Sequence, residues 1–349
     1  MNSVSDFRSD TVTRPSAAMR RAMAEAEVGD DVLDGDPTVA KLERAAAKWL
    51  GKQGALFVPS GTMANQIALG AWLAPGDEVI VERSAHIVSF EAGSLGFLHG
   101  AQAQTVDAPS GAIGIDQLER AIRPNSIHCP RSRLLCVEQT FMGSGEGPGG
   151  CVVPPAHLDA LCARAKELGL RVHMDGARLA NAHVACGAPA SALAACADSV
   201  SLCFSKGLGA PVGSVIAGDL EFLERGRRVR KRLGGWMRQA GVLAAAGLLA
   251  LENNVARLAS DHELAREVAR VLSQVGGMDC PPKEVQTNIV FARVRKPGRD
   301  AVQWAKELER HGVRTMALGP ACLRLVTHLD VGAADVVRLE QALWACRAS

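Results

Sequence analysis

Short apolar runs alternate with longer amphipathic segments along the first two thirds of the chain. Each apolar run has the length of a buried strand, and the segments between them have helical spacing, most clearly at 154–169. The strand-like runs lie at residues 55–60, 77–82, 133–140, 170–175 and 198–204. Because strands alternate with helices, the pattern predicts a mostly parallel sheet covered on both faces, which is an α/β fold.

The pattern changes after residue 235. A long Ala- and Leu-rich region at 236–275 has helical spacing throughout. Beyond it, strand-like runs at 287–294 and 322–328 flank a helical segment at 300–311. We therefore predict three parts: an N-terminal arm (1–30), a large domain (31–235) and a smaller α+β C-terminal domain (236–349).

Composition and charge narrow the class of protein. Of the 349 residues, 48% are hydrophobic and 22% are charged, and the formal net charge is +2. These values are ordinary for a globular protein and give no sign of nucleic-acid binding. The ten cysteines form no C-x-x-C pair and no metal-ligand spacing, so we expect free thiols, a cytoplasmic protein and no bound metal. Neither a signal peptide nor an apolar run of membrane-spanning length is evident, so we expect no membrane contact.

One lysine stands at the end of an apolar strand. In "SLCFSKGLGAPVG" (201–213), Lys206 directly follows the apolar run, and the glycines and the proline after it exclude a regular helix. A lysine in such a place commonly extends along its apolar stem to water. The glycines, however, admit a ligand close to the backbone, and burial lowers a lysine pKa and makes the amine nucleophilic. Both interpretations stay open, and the second predicts Schiff-base chemistry.

Two other strand ends carry residues that suit the same chemistry, because ligands of open α/β sheets bind beyond the carboxyl ends of the strands. Gly61 and Thr62 open a helix whose amides and hydroxyl suit a phosphate, although a plain helix cap fits them too. Asp175 ends a later strand and is suited either to cap a helix or to pair with a cationic ring nitrogen. A phosphate site, an acid and a reactive lysine on one edge are what pyridoxal phosphate requires. The P-loop pattern is absent, and the first strand is not followed by the G-x-G-x-x-G pattern of dinucleotide-binding proteins.

Longer stretches that cover almost the whole chain carry a specific resemblance. They are "DFRSDTVTRPSAAMRRAMAEAEVGDDVLDGDPTV", "PSGTMANQIAL", "HMDGARLANA", "LCFSKGLGAPVGS", "LGGWMRQAGVLAAAGLLALENNVARLASDH" and "RLVTHLD". Together they closely resemble the L-threonine aldolases, the branch of fold-type I pyridoxal-phosphate enzymes that is similar to the β-eliminating lyases. The resemblance implies a fold-type I transferase-like fold, pyridoxal phosphate as cofactor, and cleavage of β-hydroxy-α-amino acids such as L-threonine or L-allo-threonine to glycine and an aldehyde.

The resemblance also implies roles for individual residues toward the cofactor. Lys206 would bind it through the amine, Asp175 would hold the pyridine nitrogen protonated, and His86 would stack on its ring near the substrate hydroxyl. His86, a buried phosphate or a water would then take the hydroxyl proton. The residues implied around the phosphate and the other cofactor oxygens are Gly61, Thr62, Arg178, Ser205 and Arg230.

Other implied contacts concern the substrate and a second subunit. Ser9 and Arg324, with Arg178, would clamp the substrate carboxylate, for which the planar guanidinium is suited. Arg230 lies in a basic run at 225–232 that would otherwise be read as a solvated helix face. Its implied reach to the phosphate of a neighbouring subunit predicts a homo-oligomer with shared sites, either a dimer or a tetramer.

Two positions depart from the family pattern. Phe141 replaces a histidine that many members carry near the substrate hydroxyl, and Leu33 replaces a tyrosine. Phe141 is therefore a candidate substrate contact that favours aromatic β-substituents, as in phenylserine; simple packing of its ring is the equal alternative. Three other functions are alternatives. β-Elimination or transamination would use the same cofactor. A nicotinamide-dependent reaction would require a G-x-G-x-x-G motif after the first strand, which is not found there, and a non-catalytic binding protein would lack Lys206 or Asp175.

Overall fold

The computed structural model describes residues 4–145, 147–295 and 298–348. Twelve strands are found in this part of the chain, of which several are short. Their bounds are β1 Ser5–Asp6, β2 Gly54–Val58, β3 Asp77–Glu82, β4 Gln102–Val106, β5 Arg131–Glu138, β6 Arg171–Asp175, β7 Ser199–Cys203, β8 Ser214–Gly218, β9 Ile289–Arg293, β10 Val313–Arg314, β11 Met316–Leu318 and β12 Cys322–Val326.

Fourteen α-helices are found in the same residues. Their bounds are α1 Ala17–Ala24, α2 Pro37–Leu50, α3 Gly61–Trp72, α4 His86–Ser89, α5 Ser94–His99, α6 Ile115–Ala121, α7 Pro155–Glu167, α8 Leu179–Cys186, α9 Ala190–Ala195, α10 Leu220–Arg232, α11 Gly241–Asn253, α12 Leu258–Gln274, α13 Ala301–Arg310 and α14 Ala333–Ala348.

Seven strands form the central sheet in the order β2-β8-β7-β6-β5-β3-β4. The pairs among β3, β4, β5, β6 and β7 are parallel, and β8 runs antiparallel to both of its neighbours. The mostly parallel sheet that the alternating pattern predicts is therefore confirmed. Since β8 returns directly from β7, the connection that carries Lys206 is a short loop at the sheet edge and not a helical crossover.

Local chemistry explains where the helices near this edge begin. Asp36 caps α2, because its carboxylate accepts hydrogen bonds from the amides of Thr38 and Val39 at 3.0 and 2.9 Å, and Pro37 occupies the first turn where no amide is needed. Ser60 caps α3 in the same way by accepting from Met63 N at 3.1 Å. The start of α3 is thus fixed directly beside the end of β2.

Two large apolar clusters divide the core. The first lies around the central sheet and includes residues of α1, α2 and α11, while the second lies between α12, α14 and the small sheet β11-β12-β9. Phe7, from the N-terminal arm, is fully buried in the second cluster. The helix α11 therefore packs in the first cluster, around the central sheet, whereas α12 packs mainly in the second. The division of the chain into two domains at residue 235 stays a prediction.

The helical region predicted at 236–275 is two helices, α11 and α12, bent by 75° at the break between them. The break has a tertiary cause, because Asn254 donates to the carbonyl of Leu208 at 2.8 Å and Arg257 to that of Gly207 at 2.9 Å. No single helix of the described residues is long and apolar enough to span a membrane; α11 and α12 pass such a test only as a bent pair.

Candidate active site

The carboxyl ends of β2, β6 and β7 and the start of α3 enclose a cavity at the edge of the central sheet. Its empty volume is about 410 Å³, including space that is open to solvent. The residues that line it include six that the sequence analysis singles out: Gly61, Thr62, His86, Asp175, Ser205 and Lys206. Ser60, Asn65, Ala177 and Cys203 complete the lining. Residues from four distant parts of the sequence therefore meet at the edge where the strand-end rule expects a ligand.

Lys206 is held by its backbone in the loop between β7 and β8. Its carbonyl accepts from Gly209 N at 2.8 Å, and Gly209 has a positive φ of 79°, which favours glycine. Gly207 also has to be glycine, since a Cβ there would lie 2.9 Å from a methyl group of Leu258. Among the residues that the structure describes, none is hydrogen-bonded to the Lys206 amine, which is therefore free to react.

Asp175 ends β6 and is buried. Its Oδ2 accepts from Asn65 Nδ2 at 2.8 Å, and its Oδ1 accepts from Ala177 N at 3.0 Å. Burial opposes ionisation of this carboxyl, but the charges of Lys206 and His86 outweigh it and hold the pKa of Asp175 below its usual value. The cavity thus contains a buried anion, which is suited to a protonated ring nitrogen.

His86 begins α4 and is oriented by a buried carboxylate. Its Nδ1 lies 2.8 Å from Glu91 Oε1, and both oxygens of Glu91 also accept amide donors, from Asn65 at 2.8 Å and Gln66 at 2.5 Å. Since Glu91 accepts on both oxygens, Nδ1 is the donor and Nε2 is left to accept a proton. Burial works against the charged imidazole, but the bond to Glu91 and the charge of Asp175 raise the pKa of His86.

Glu138 is a third carboxyl at this edge. It ends β5 and lies opposite Asp175 in the sheet register, and it accepts from the backbone amides of His86 and Met142 at 3.0 and 2.8 Å. Burial, together with the charge of Asp175, raises the pKa of Glu138 to about 7. Glu138 was not predicted as a site residue, because the predicted strand continued to residue 140, whereas the observed strand β5 ends at Glu138.

Arg178 and Arg324 are both buried near the cavity, but their charges are balanced differently. Arg178 binds Asp10 through two hydrogen bonds of 2.7 and 2.8 Å, and its charge lowers the pKa of Asp10 against the opposing effect of burial. In the described part of the chain, Arg324 donates to the carbonyl of Arg8, at 3.0 Å, and to the sulfur of Met142, at 3.6 Å, and to no carboxylate.

Within the described residues, Arg324 is consequently a buried cation with no carboxylate at ion-pair distance, although the charge of Asp10 acts on it and raises its pKa. Its Nε is buried with no hydrogen-bond partner, and within the described ranges no carboxylate forms an ion pair with it. Burial, and the neighbouring charge of Arg178, lower the pKa of Arg324 to about 10. A buried charge is costly unless it is paired, so this side chain is prepared for an anionic ligand, as the predicted carboxylate clamp requires.

The start of α3 fits a phosphate. Ser60 caps the helix with its own hydroxyl, which leaves the amides of Gly61 and Thr62 without partners in the described part of the chain. Gly61 is required for a reason that the sequence analysis did not see: a Cβ there would lie 2.6 Å from Cys203 Sγ. The close packing of α3 on the end of β7 is what brings these amides to the cavity.

Ser9 and Arg230 lie away from the cavity lining, and their roles stay predictions. Ser9 caps a single 3-10 turn, where its Oγ accepts from Thr11. Arg230 is buried; it donates to the carbonyl of Phe57 at 2.9 Å and lies 4.7 Å from the ring centre of Trp236, all within the same chain. Neither residue is among those that line the cavity.

Phe141 is buried in the first apolar cluster, and a Cβ on Gly111 would touch its ring. Phe141 does not line the cavity. This position agrees with the alternative that its ring only packs in the core and does not contact the substrate. Leu33, the second departure from the family pattern, is 75% exposed. Other polar residues that build the site, such as Asp10, Asn65 and Glu91, carry no signal in the sequence, because they meet the cavity from helices and turns and not from strand ends.

The residues present fit pyridoxal phosphate. The cavity combines an amine without a partner, an anionic Asp175, an imidazole with a free Nε2, and helix amides without partners. These four features match the four parts of the cofactor that a protein has to bind: the aldehyde, the ring nitrogen, the ring face and the phosphate. Lys206 would hold the aldehyde carbon, and Gly61 and Thr62 the phosphate.

Comparisons with known proteins give consistent results. The family model for beta-eliminating lyases matches residues 6–295. Low-specificity L-threonine aldolase 1 of Arabidopsis thaliana is 43% identical over 336 residues, which cover 95% of this chain and 93% of that protein. The threonine aldolase structure of Leishmania major superposes with a TM-score of 0.81 at 21% identity, over 98% of this chain and 99% of that one. A serine palmitoyltransferase solved with pyridoxal phosphate has a TM-score of 0.75 at 18% identity, over 99% of this chain and 88% of that one.

Proposed function

This chain belongs to the L-threonine aldolases of the beta-eliminating lyase family, and from that premise we propose that it is a pyridoxal-phosphate-dependent threonine aldolase. It cleaves L-threonine or L-allo-threonine to glycine and acetaldehyde. The observation that carries the proposal is that one cavity is lined both by the Lys206 amine, which has no hydrogen-bond partner among the described residues, and by the buried carboxylate of Asp175.

The cofactor, when bound, supplies an electron sink that accepts the electron pair of the Cα–Cβ bond. Asp175 maintains that sink, because a buried carboxylate with a pKa below its usual value stabilises a proton on the ring nitrogen. Asn65 fixes the position of Asp175 by donating to its Oδ2 at 2.8 Å. Replacing Asp175 should therefore reduce the rate of bond cleavage more than the binding of the cofactor.

Arg324 binds and orients the substrate. Its guanidinium N–H groups donate hydrogen bonds to the α-carboxylate, and the bound carboxylate supplies an ion-pair partner that the guanidinium does not have among the described residues. Arg178 lies close enough to affect the pKa of Arg324, but Asp10 already neutralises it, so it serves mainly to shape the site. Orientation of the carboxylate fixes which bond to Cα is broken.

His86 is the proposed base for the β-hydroxyl proton. The hydrogen bond from Nδ1 to Glu91 keeps Nε2 unprotonated in the neutral imidazole, and the same carboxylate stabilises the imidazolium that forms when Nε2 accepts the proton. Glu91 raises the pKa of His86. The neutral imidazole, which is the form that accepts a proton, becomes more abundant as the pH rises through that pKa. Activity should accordingly increase with pH on its acidic limb.

The assembly and location of the protein are a finer part of the proposal. We propose a cytoplasmic homo-oligomer, a dimer or a tetramer, in which Arg230 or its neighbours on α10 contribute to the phosphate site of another subunit. The ten free cysteines and the exposed basic side chains of α10 support this. Light scattering of the purified protein measures the oligomeric state directly.

The experiment that tests the function combines a spectrum with a product assay. The purified protein should have a visible absorption band of lysine-bound cofactor that borohydride removes, with the label found on Lys206, and Lys206→Ala should lack it. Acetaldehyde should be released from L-threonine and L-allo-threonine. A keto acid in place of glycine and aldehyde would redirect the function to transamination or β-elimination, and no cofactor band after addition of pyridoxal phosphate would overturn the proposal.

A further inference from the structure

Two cysteine sulfurs lie in contact in the segments that lead into the amino-terminal ends of β6 and β7, whereas Lys206 follows the carboxyl end of β7. Cys162 is in α7 and Cys196 directly follows α9, and the two Sγ atoms are 3.0 Å apart, with the thiol of Cys162 donating to the sulfur of Cys196. Cys162 is buried, whereas Cys196 is partly exposed to solvent. In the described residues no other pair of cysteine sulfurs is hydrogen-bonded.

The surroundings distinguish the two thiols. The hydrogen bond from Cys162, aided by the positive charges of Lys166 and Lys52, lowers the pKa of Cys196 against the effects of burial and Asp159. The same hydrogen bond and burial raise the pKa of Cys162. Lys52 is held in place, because its Nζ donates to the carbonyl of Ala197 at 2.6 Å. The accessible sulfur of Cys196 is therefore the one that loses its proton more readily, and the buried sulfur beside it is the hydrogen-bond donor.

We propose that Cys162 and Cys196 are a peroxide-responsive dithiol that closes to a disulfide. The accessible thiolate of Cys196 attacks one oxygen of the peroxide, the O–O bond breaks, and a sulfenic acid and hydroxide form. Cys162 gives up its proton and its sulfur attacks that of the sulfenic acid, which releases water. In total, two thiols and one hydrogen peroxide give one disulfide and two waters. The sulfurs have to approach by about 1 Å to reach the length of the bond.

The position of the pair predicts what the disulfide does. The helix of Cys162 leads into β6 and Cys196 leads into β7, so both lie at the amino-terminal ends of strands whose carboxyl ends form the active site. The bond would close a loop between residues 34 positions apart and join two helices on the same layer. We therefore expect higher thermal stability, since a cross-link restricts the unfolded chain, with aldehyde release unchanged.

The experiment treats the holoenzyme with hydrogen peroxide and counts thiols after denaturation. The count should fall from ten to eight and return to ten with dithiothreitol. Digestion with trypsin and Asp-N should yield a linked peptide, two hydrogens lighter than its parts, that joins Cys162 to the peptide 179–197. Because that peptide contains both Cys186 and Cys196, the digest is repeated with Cys186→Ser, which also serves as the matched control for an exposed thiol.

The results separate the proposal from ordinary oxidation. A Cys162–Cys196 link in the wild type and in Cys186→Ser, together with a raised melting temperature that dithiothreitol reverses, supports it. Loss of thiols at Cys186 or elsewhere without this link overturns it. The digest of Cys186→Ser decides the question even if a Cys162→Ser variant fails to fold; if that variant does fold, Cys196 should progress to the sulfinic acid at the same peroxide dose. The outcome is independent of the reaction that the enzyme catalyses.

Discussion

Replacement of Arg324 by methionine should reduce activity and leave the protein at least as stable. Two hydrogen bonds to a charged substrate carboxylate are each worth about 1.5–3 kcal/mol, and about 1.4 kcal/mol corresponds to a factor of ten. Loss of both, about 3–6 kcal/mol, should therefore lower kcat/KM by roughly 10²- to 10⁴-fold. In the free enzyme the same replacement removes a buried cation that has no ion-pair partner among the described residues, at the cost of the hydrogen bonds to the carbonyl of Arg8 and the sulfur of Met142.

The matched control is Arg178→Met. Arg178 is as deeply buried as Arg324, but its charge is paired with Asp10 by two short hydrogen bonds. Removing one partner of a buried ion pair leaves the other charge uncompensated and costs about 3–5 kcal/mol of unfolding free energy. The two arginines of one site should thus have opposite effects on the melting temperature.

The assay compares thermal or urea unfolding of the two variants with steady-state aldehyde release from L-threonine. Both measurements use cofactor-saturated protein, so that a change in cofactor binding does not appear as a change in stability. The reasoning is refuted if Arg324→Met melts as early as Arg178→Met, or if it keeps the kcat/KM of the wild type. Either result would mean that Arg324 serves the fold and not the substrate.

Three further changes test other parts of the site. Glu91→Gln removes the carboxylate that raises the pKa of His86, so the acidic limb of the kcat/KM profile should move to lower pH; an unmoved limb in a folded, cofactor-loaded variant would exclude His86 as the base. Gly61→Ala places a Cβ 2.6 Å from Cys203 Sγ and should cost about 1–3 kcal/mol in unfolding free energy, which Cys203→Ala should partly restore in the double variant; additive losses would contradict this contact. Phe141→His should destabilise the core without changing the preference between L-threonine and L-allo-threonine, since the ring is buried away from the cavity; a changed product ratio would make it a substrate contact.

Much of the central sheet could be predicted because its strands are short, apolar and separated by amphipathic helices. Two of its strands escaped prediction for local reasons. The strand β4 is an edge strand with no buried residue and with polar side chains at three of its five positions, and β8 consists of five residues that directly follow the glycine-rich loop of Lys206. The break between α11 and α12 has no local signal either, because it is made by bonds to carbonyls of that same loop.

The sequence by itself determined the reactive residues that stand at strand ends. Lys206, Asp175 and Gly61 each follow or end an apolar run, and a parallel sheet brings the carboxyl ends of its strands to one edge. No knowledge of distant contacts is needed to predict that these three meet.

Only the tertiary structure decided how charge is balanced around them. Arg178 and Arg324 are equally basic in the printed sequence, yet Asp10, 168 positions away from Arg178, pairs with one and leaves the other without an ion-pair partner among the described residues. Glu91 orients His86 only because α3 brings Asn65 and Gln66 to its two oxygens. The pKa and the pairing of a charged group depend on its burial and on partners that are distant in sequence. The local pattern therefore predicts which groups are present, and the fold determines which of them can bind a ligand or transfer a proton.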